Sequence, residues 1–228
     1  MLLTKEEIET PRTAAKIRCW AEQKIEYLGN TKEGKHAIRF REGYAKELTE
    51  ETLPLGIFCE NYFKSSRYVV IQQHVGNQNY DATIKDKRLK KSPIKYLEIT
   101  QAHEGEDAHL RMLHLENKGH ANVLGMVTKK GTKHTGITVE IENEALEHGV
   151  VVDNELQRIL EAARRKSGKE YPDNTGLVII CDDYIVFREQ EDIEKLIQFI
   201  HENVLEYLNN FLKVFVIGWS SKTYLEFK

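Results

Sequence analysis

Cysteine is scarce in this chain. Its 228 residues hold three, Cys19, Cys59 and Cys181, widely separated. An odd number without short spacing argues against a disulfide framework and against a zinc cluster, and leaves buried small hydrophobes as the reading. Long apolar runs are missing too. The longest, residues 177–181 and 214–217, fall far short of the ~20 residues that span a bilayer, so no membrane partner is expected. The opening residues 1–7 lack a basic stretch followed by an apolar one, so a secretory leader is not expected and the cytoplasm is. Gly76, Gly105, Gly119, Gly125 and Gly131 form neither a phosphate loop nor a dinucleotide fingerprint. That argues against kinases, P-loop NTPases and Rossmann enzymes. A Gly-x-Ser-x-Gly elbow is also missing.

Charge of one sign is not in excess either. Lys plus Arg number 33 against 36 Asp plus Glu, for a net charge of −3. Bulk charge therefore does not announce a nucleic-acid partner. Local charge says more. Lys85, Lys87, Arg88, Lys90, Lys91 and Lys95 crowd one stretch. Lys129, Lys130, Lys133 and His134 form a second cluster, and Arg164, Arg165, Lys166 and Lys169 a third. Such clusters are either solvated loops and a helix end or a phosphate-contacting face. Acid collects elsewhere, as at Asp182-Asp183. Hydrophobic residues at 40% and charged residues at 30% suit one large globular domain, or one domain with additions, that buries a core without disulfides.

Hydrophobic periodicity predicts a helix over 13–27, a turn over 30–34 and helical sequence over 36–63. Pro54 should kink that last helix or start a new one. Strands are predicted over 68–73, 80–84 and 94–101, forming a meander with the basic 85–91 stretch as a loop. A short helix over 107–117 and a hairpin with arms 121–128 and 135–142 follow. Then come a helix from 154, a doubly buried strand over 177–181, an amphipathic helix over 192–211 and closing strands over 214–219 and 223–227.

Two acids stand out in the meander. Asp81 and Glu98 lie on consecutive predicted strands. Alternation puts Leu97 and Ile99 on one face and Glu98 and Thr100 on the other. Each acid has a plain alternative: Asp81 could finish a turn, and Glu98 could sit exposed on a half-buried strand. Brought together, two carboxylates repel unless one is protonated or a cation neutralises them. A hard divalent ion with oxygen ligands does this, and it can polarise a phosphate and lower the pKa of a bound water. Histidines 103, 109, 114 and 120 do not recur at i, i+4 and read as solvated or hydrogen-bonded. His74 sits near Asp81 and is a weaker candidate.

With Asp81 on the second strand and Glu98 on the third, the sequence resembles the PD-(D/E)xK nuclease superfamily, over roughly residues 45–185. The resemblance implies an α/β (α+β) fold: a mixed sheet flanked by helices, with a restriction-endonuclease-like αβββαβ core, N-terminal helices and C-terminal additions. It implies Mg²⁺ or Mn²⁺ held by Asp81 and Glu98, with Glu47, Glu50 or Glu51 of the first core helix as a further ligand. Two departures stand in the motif. Tyr80 replaces the proline, which carries little weight. Thr100 replaces the lysine that orients the water and meets the phosphate charge, and a hydroxyl cannot supply charge. Members that move this lysine place it on the second core helix, where Lys166 and Lys169 are the candidates. A turn at Gly168 would bring them back toward the sheet.

The expectation is a metal-dependent hydrolase of phosphodiester bonds, a DNA endonuclease of a restriction or defence kind. Lys85, Lys87, Arg88, Lys90, Lys91, Lys129 and Lys130 are its expected nucleic-acid contacts, with the 85–91 loop beside the acid pocket. The alternative is a catalytically inactive nucleic-acid-binding or scaffold protein. Residues 1–44 read as a helical extension packed on a core of 45–228 that carries a hairpin insertion at about 119–142. Nucleic acid, DNA first, is the expected partner, and a homodimer is allowed for.

Overall fold

The computed structural model describes residues 3–103, 105–122, 125–132, 136–142 and 146–228. Lys133, His134, Thr135 and residues 123–124 of the expected hairpin lie outside the described residues.

Helix α1 (Lys5–Glu9) starts with a capping box in which Thr4 and Glu7 serve each other's backbone. Strand β1 (Arg12–Thr13) follows, and α2 (Ile17–Gly29) begins after it. The helix expected from 13 starts later because Thr13 pairs with Val70 at the sheet edge. Thr31 caps α3 (Lys32–Phe40) by accepting from the Gly34 N–H, which shortens the expected turn. Next come α4 (Tyr44–Glu47), a π-helical turn (Leu48–Thr52) and α5 (Leu53–Tyr62), with Pro54 in the first turn of α5. Pro54 has no N–H to give the Glu50 carbonyl four residues back. Gln101 Nε2 donates to that carbonyl instead, at 2.7 Å.

The predicted meander is present as β2 (Val69–Gln73), β3 (Ala82–Asp86) and β4 (Tyr96–Gln101), all antiparallel. Helix α6 (Glu106–Lys118) leads into a separate two-stranded sheet of β5 (Val127–Thr132) and β6 (Gly136–Ile141). Helix α7 (His148–Ser167) starts before the expected 154. After β7 (Thr175–Cys181), α8 (Gln190–Asn203) gives way to a 3₁₀ turn (Leu205–Leu208) rather than running to 211. Strands β8 (Lys213–Gly218) and β9 (Tyr224–Phe227) end the chain.

The main sheet is mixed, in the order β1-β2-β3-β4-β7-β8-β9. β7 runs parallel to both β4 and β8, and β9 is antiparallel to β8. Every residue of β7 is buried, as its uninterrupted apolar run requires of a strand covered on both faces. Leu177 and Ile179 pack with α7 and α8 on one side, and Val178 and Ile180 with α5 on the other. The fold is thus α/β, with helices on both faces of a mixed sheet. Asp183 ties the β8–β9 turn by accepting from the Ser220 N–H, the Ser220 hydroxyl and the Thr223 N–H. A Cβ at position 218 would lie 1.9 Å from Asp183 Oδ2, so only glycine fits there.

Candidate functional site

The site opens where β3 parts from β4. Their ladder spans only Ala82–Leu97 and Thr83–Tyr96. Asp81 stands one residue before β3, not on it, and holds to β4 twice. Its N–H donates to the Leu97 carbonyl at 2.7 Å, and its Oδ2 accepts the Ile99 N–H at 2.6 Å. The carboxylate thus takes the place of a ladder carbonyl. Ala82 and Ile84 pack against the α5 side with Leu97 and Ile99, so alternation turns Asp81 to the α7 side with Glu98. Glu98 and Thr100 lie in register with Leu177 and Ile179, which face α7. Both are buried.

Lys166 reaches in from the last turn of α7, and its Nζ lies 2.5 Å from Glu98 Oε1. Gly168 has φ −88°, so no left-handed turn brings the lysine around. The helix itself aims it, which corrects the expected route. Lys166 and the exposed Lys169 line a cavity of about 470 Å³ with Lys46, Glu50, Glu51 and Thr100, while Asp81 and Glu98 lie outside its lining.

Glu51 approaches from the π-helical turn. Its Oε2 accepts from Gln73 Nε2 at 2.9 Å, while Thr52 Oγ1 donates to Gln73 Oε1 at 2.6 Å. Gln73 and Thr52 are themselves buried. Burial pushes the Glu51 carboxyl up to about 7, with Glu47, Glu98 and Glu50 adding repulsion. Asp81 is pushed well above the usual range by burial first, then by Glu51 and Glu98, with Lys166 pulling the other way. Among the glutamates offered by the first core helix, Glu50 is taken up by Arg41 at 2.9 Å. Glu47 keeps a buried Oε2 without a hydrogen-bond partner among the described residues.

The donors available to a cation are therefore carboxylate oxygens, suited to Mg²⁺ or Mn²⁺. Like charges held in a dry place and an orphaned buried Oε2 fit such an ion. Asp81, Glu98 and Glu51 are the candidate ligands, with Glu47 in reserve, and they would have to turn from their present partners to hold it. Among the described residues, no three His, Cys, Asp or Glu side chains stand at metal-cage spacing. Each of the three acids bonds instead to its own protein donor: Ile99 N–H, Lys166 and Gln73.

The expected nucleic-acid residues fall elsewhere. The 85–91 stretch lies at the closed end of the β3–β4 hairpin, while Asp81 lies at the open end. A loop joining two antiparallel strands cannot flank the far end of the same strands, so its placement beside the acid pocket is corrected. Arg88 is clamped on Asp86 at 2.7–3.1 Å, and Lys85, Lys87, Lys90 and Lys91 are exposed. Lys129 pairs with Glu106, and Lys130 with Glu140 at 2.6 Å. The ring of His74 bonds to Thr83 Oγ1 at 3.0 Å rather than to an acid.

Four residues near the site were not anticipated. Gln73 and Thr52 hold Glu51. Arg165 donates to the Gln101 carbonyl at 2.9 Å. Tyr171 has a buried hydroxyl without a partner among the described residues, and its pKa is raised by burial and then by Glu98 and Asp81. Gln73 carried a signal in the sequence, as a polar residue at an inward position of its strand, and Arg165 belonged to the third basic cluster, whereas Thr52 and Tyr171 carried none. No protein-family model, no curated protein and no solved structure matches the chain.

Proposed function

We propose that this chain is a divalent-metal-dependent nuclease, a divergent relative of the PD-(D/E)xK superfamily, acting on DNA or a chemically similar nucleic acid. One observation carries this reading. Asp81 is pinned to β4 at the Ile99 N–H, one residue past the buried Glu98, Glu51 reaches Gln73 of β2, and Lys166 of the following helix lies 2.5 Å from Glu98, where the motif lysine is otherwise missing. The order α5, β2-β3-β4, α7, β7, with β7 parallel to β4, supports the αβββαβ core.

A bound Mg²⁺ or Mn²⁺ would polarise the phosphate and acidify a water. The chain's own residues do the rest. The Ile99 N–H fixes Asp81, and Gln73 fixes Glu51, so that the acids stay aimed without sliding apart. Lys166 stands within reach of one acid and can meet negative charge growing on the phosphate. Thr100 shares its face and can hold a water through its hydroxyl. In the hydrolysis that water adds to phosphorus, its proton leaves to a base, and the bond to the departing sugar oxygen breaks.

A second reading keeps a specific observation. Thr100 brings no charge, and Lys166 already neutralises Glu98, as in a protein that binds nucleic acid without cutting it. Single-turnover cleavage with Mg²⁺ or Mn²⁺ decides between the two. The wild type should cut, and Lys166→Ala should cut about 10²–10³-fold more slowly with folding intact. Lys169→Ala should stay close to the parent rate. A wild type that never cuts, joined to a Thr100→Lys variant that does, would establish a disabled nuclease instead.

A further inference from the structure

Beside the cavity lined by Glu50 and Glu51 lies a second one, of about 540 Å³. It shares Gln101 and His103 with the acid-lined cavity, so the two are neighbouring chambers along one wall. That volume falls within the ~300–1,000 Å³ of small-ligand sites. Part of the wall is apolar: Ala102, Val151 and Val186 are buried, and Trp219 also lines the space. Arg41, Arg111 and Arg158 line it as well, each also bonded within the chain: Arg41 to Glu50 at 2.9 Å, Arg111 to the Asn122 carbonyl at 2.8 Å and Arg158 to Glu155 at 3.0 Å. Its acids are Asp107, Asp182 and Glu155, and Glu155 is consumed internally by the Asp182 N–H at 2.8 Å and Arg158 at 3.0 Å. Helix α6 and the start of β5 form the outer wall.

An apolar slot bordered by an indole and arginines, beside a phosphate-cutting centre, has the chemistry of a site for a nucleobase. The faces of a base would stack on the apolar side chains, and the phosphate of its nucleotide would lie toward the guanidiniums. A base paired inside a duplex must first be flipped out of its stack, at an energetic cost that an unpaired base does not meet. We propose that this cavity receives an unpaired base of the substrate strand, and that single-stranded nucleic acid is therefore the preferred substrate. The inference rests on the nuclease reading for where the strand runs, but the pocket is tested without cleavage.

The test uses the full chain with Ca²⁺ in place of Mg²⁺ and fluorescence anisotropy. The probes are a labelled single strand of about 12 nucleotides and the duplex of the same sequence. The single strand should bind at least about tenfold tighter. Val150→Trp and Ala108→Trp, which fill the cavity from two helices, should each weaken single-strand binding about tenfold, the loss of one stacked base. Duplex binding should not change. A 2-aminopurine placed in the strand should be shielded from acrylamide by the wild type and not by the filled variants. Equal binding of duplex and single strand, or filled variants that bind like the wild type, overturns the pocket. Cleavage is not read in any of these arms. A chain that binds single strands through the cavity but never cuts in the separate single-turnover assay loses only the nuclease reading, and filled variants that bind single strands like the wild type overturn only the pocket.

Discussion

At the scale of single residues, the site is defined by acids held where they are costly. Glu51 stands at about 7 and Asp81 is raised well above the usual carboxylate range, because burial and mutual repulsion oppose the charged forms. For an acid whose folded pKa exceeds its unfolded one, the folded state binds the extra proton. Stability then falls as pH rises. For Glu51 the loss begins near its ordinary 4.5 and is complete above about 7. Glu51→Gln should therefore raise the melting temperature at pH 8 by several degrees and change it little at pH 5. Mn²⁺ should stabilise the wild type in the same way, more at pH 8 than at pH 5, because it needs the ionised acids. A melting temperature insensitive to Mn²⁺ at pH 8 would remove the metal from this site.

At the scale of elements, the π-helical turn decides which glutamate enters. Helices 44–47 and 53–62 are one rod with a widened turn between them, and such turns recur at functional sites. Pro54 removes a donor, Gln101 supplies one, and the bond ties the rod to β4 beside the site. Gln101→Leu should cost about 1–3 kcal/mol, since it leaves the Glu50 carbonyl without that donor. In a Pro54→Ala background the cost should shrink, because the backbone N–H returns. Urea unfolding of the four-protein cycle measures the coupling, and equal costs in the two backgrounds would disprove the exchange. Here the limits of reading the sequence also become physical. The faces of Glu98 and Thr100 were legible, since a period of two needs only the strand. The lysine of α7 was legible as a candidate, but not as the choice between Lys166 and Lys169, which depends on helix phase against the sheet. Glu51 could not be told from Glu47 and Glu50, because a π turn shifts every later side chain around the axis. The cavity beside Trp219 was invisible, since its walls come from segments far apart in sequence.

At the scale of the whole molecule, the question is where a strand lies on a protein of almost balanced charge. The basic 85–91 loop is its densest positive stretch, yet it hangs from the wrong end of the β3–β4 hairpin. Five residues of strand, at ~3.3 Å each, put the loop about 17 Å from Asp81. That exceeds the ~10 Å Debye length at 0.1 M salt, so its field is largely screened at the acids. Lys46 and Lys169 are fewer, but both are exposed on the rim of the acid-lined cavity. Lys46 is no more than loosely committed to Glu50, at 4.0 Å. Position should outweigh number here. The double variant Lys46→Ala/Lys169→Ala should weaken binding of a short single strand and flatten its salt dependence by ~0.7 per lost phosphate contact, or about 1.4 in slope. Neutralising Lys87, Arg88, Lys90 and Lys91 together should leave both quantities for that short strand nearly unchanged. Titrations over a range of KCl concentrations measure both slopes. A loop variant that loses slope while the rim variant keeps it would move the strand to the other end of the hairpin, away from the carboxylates.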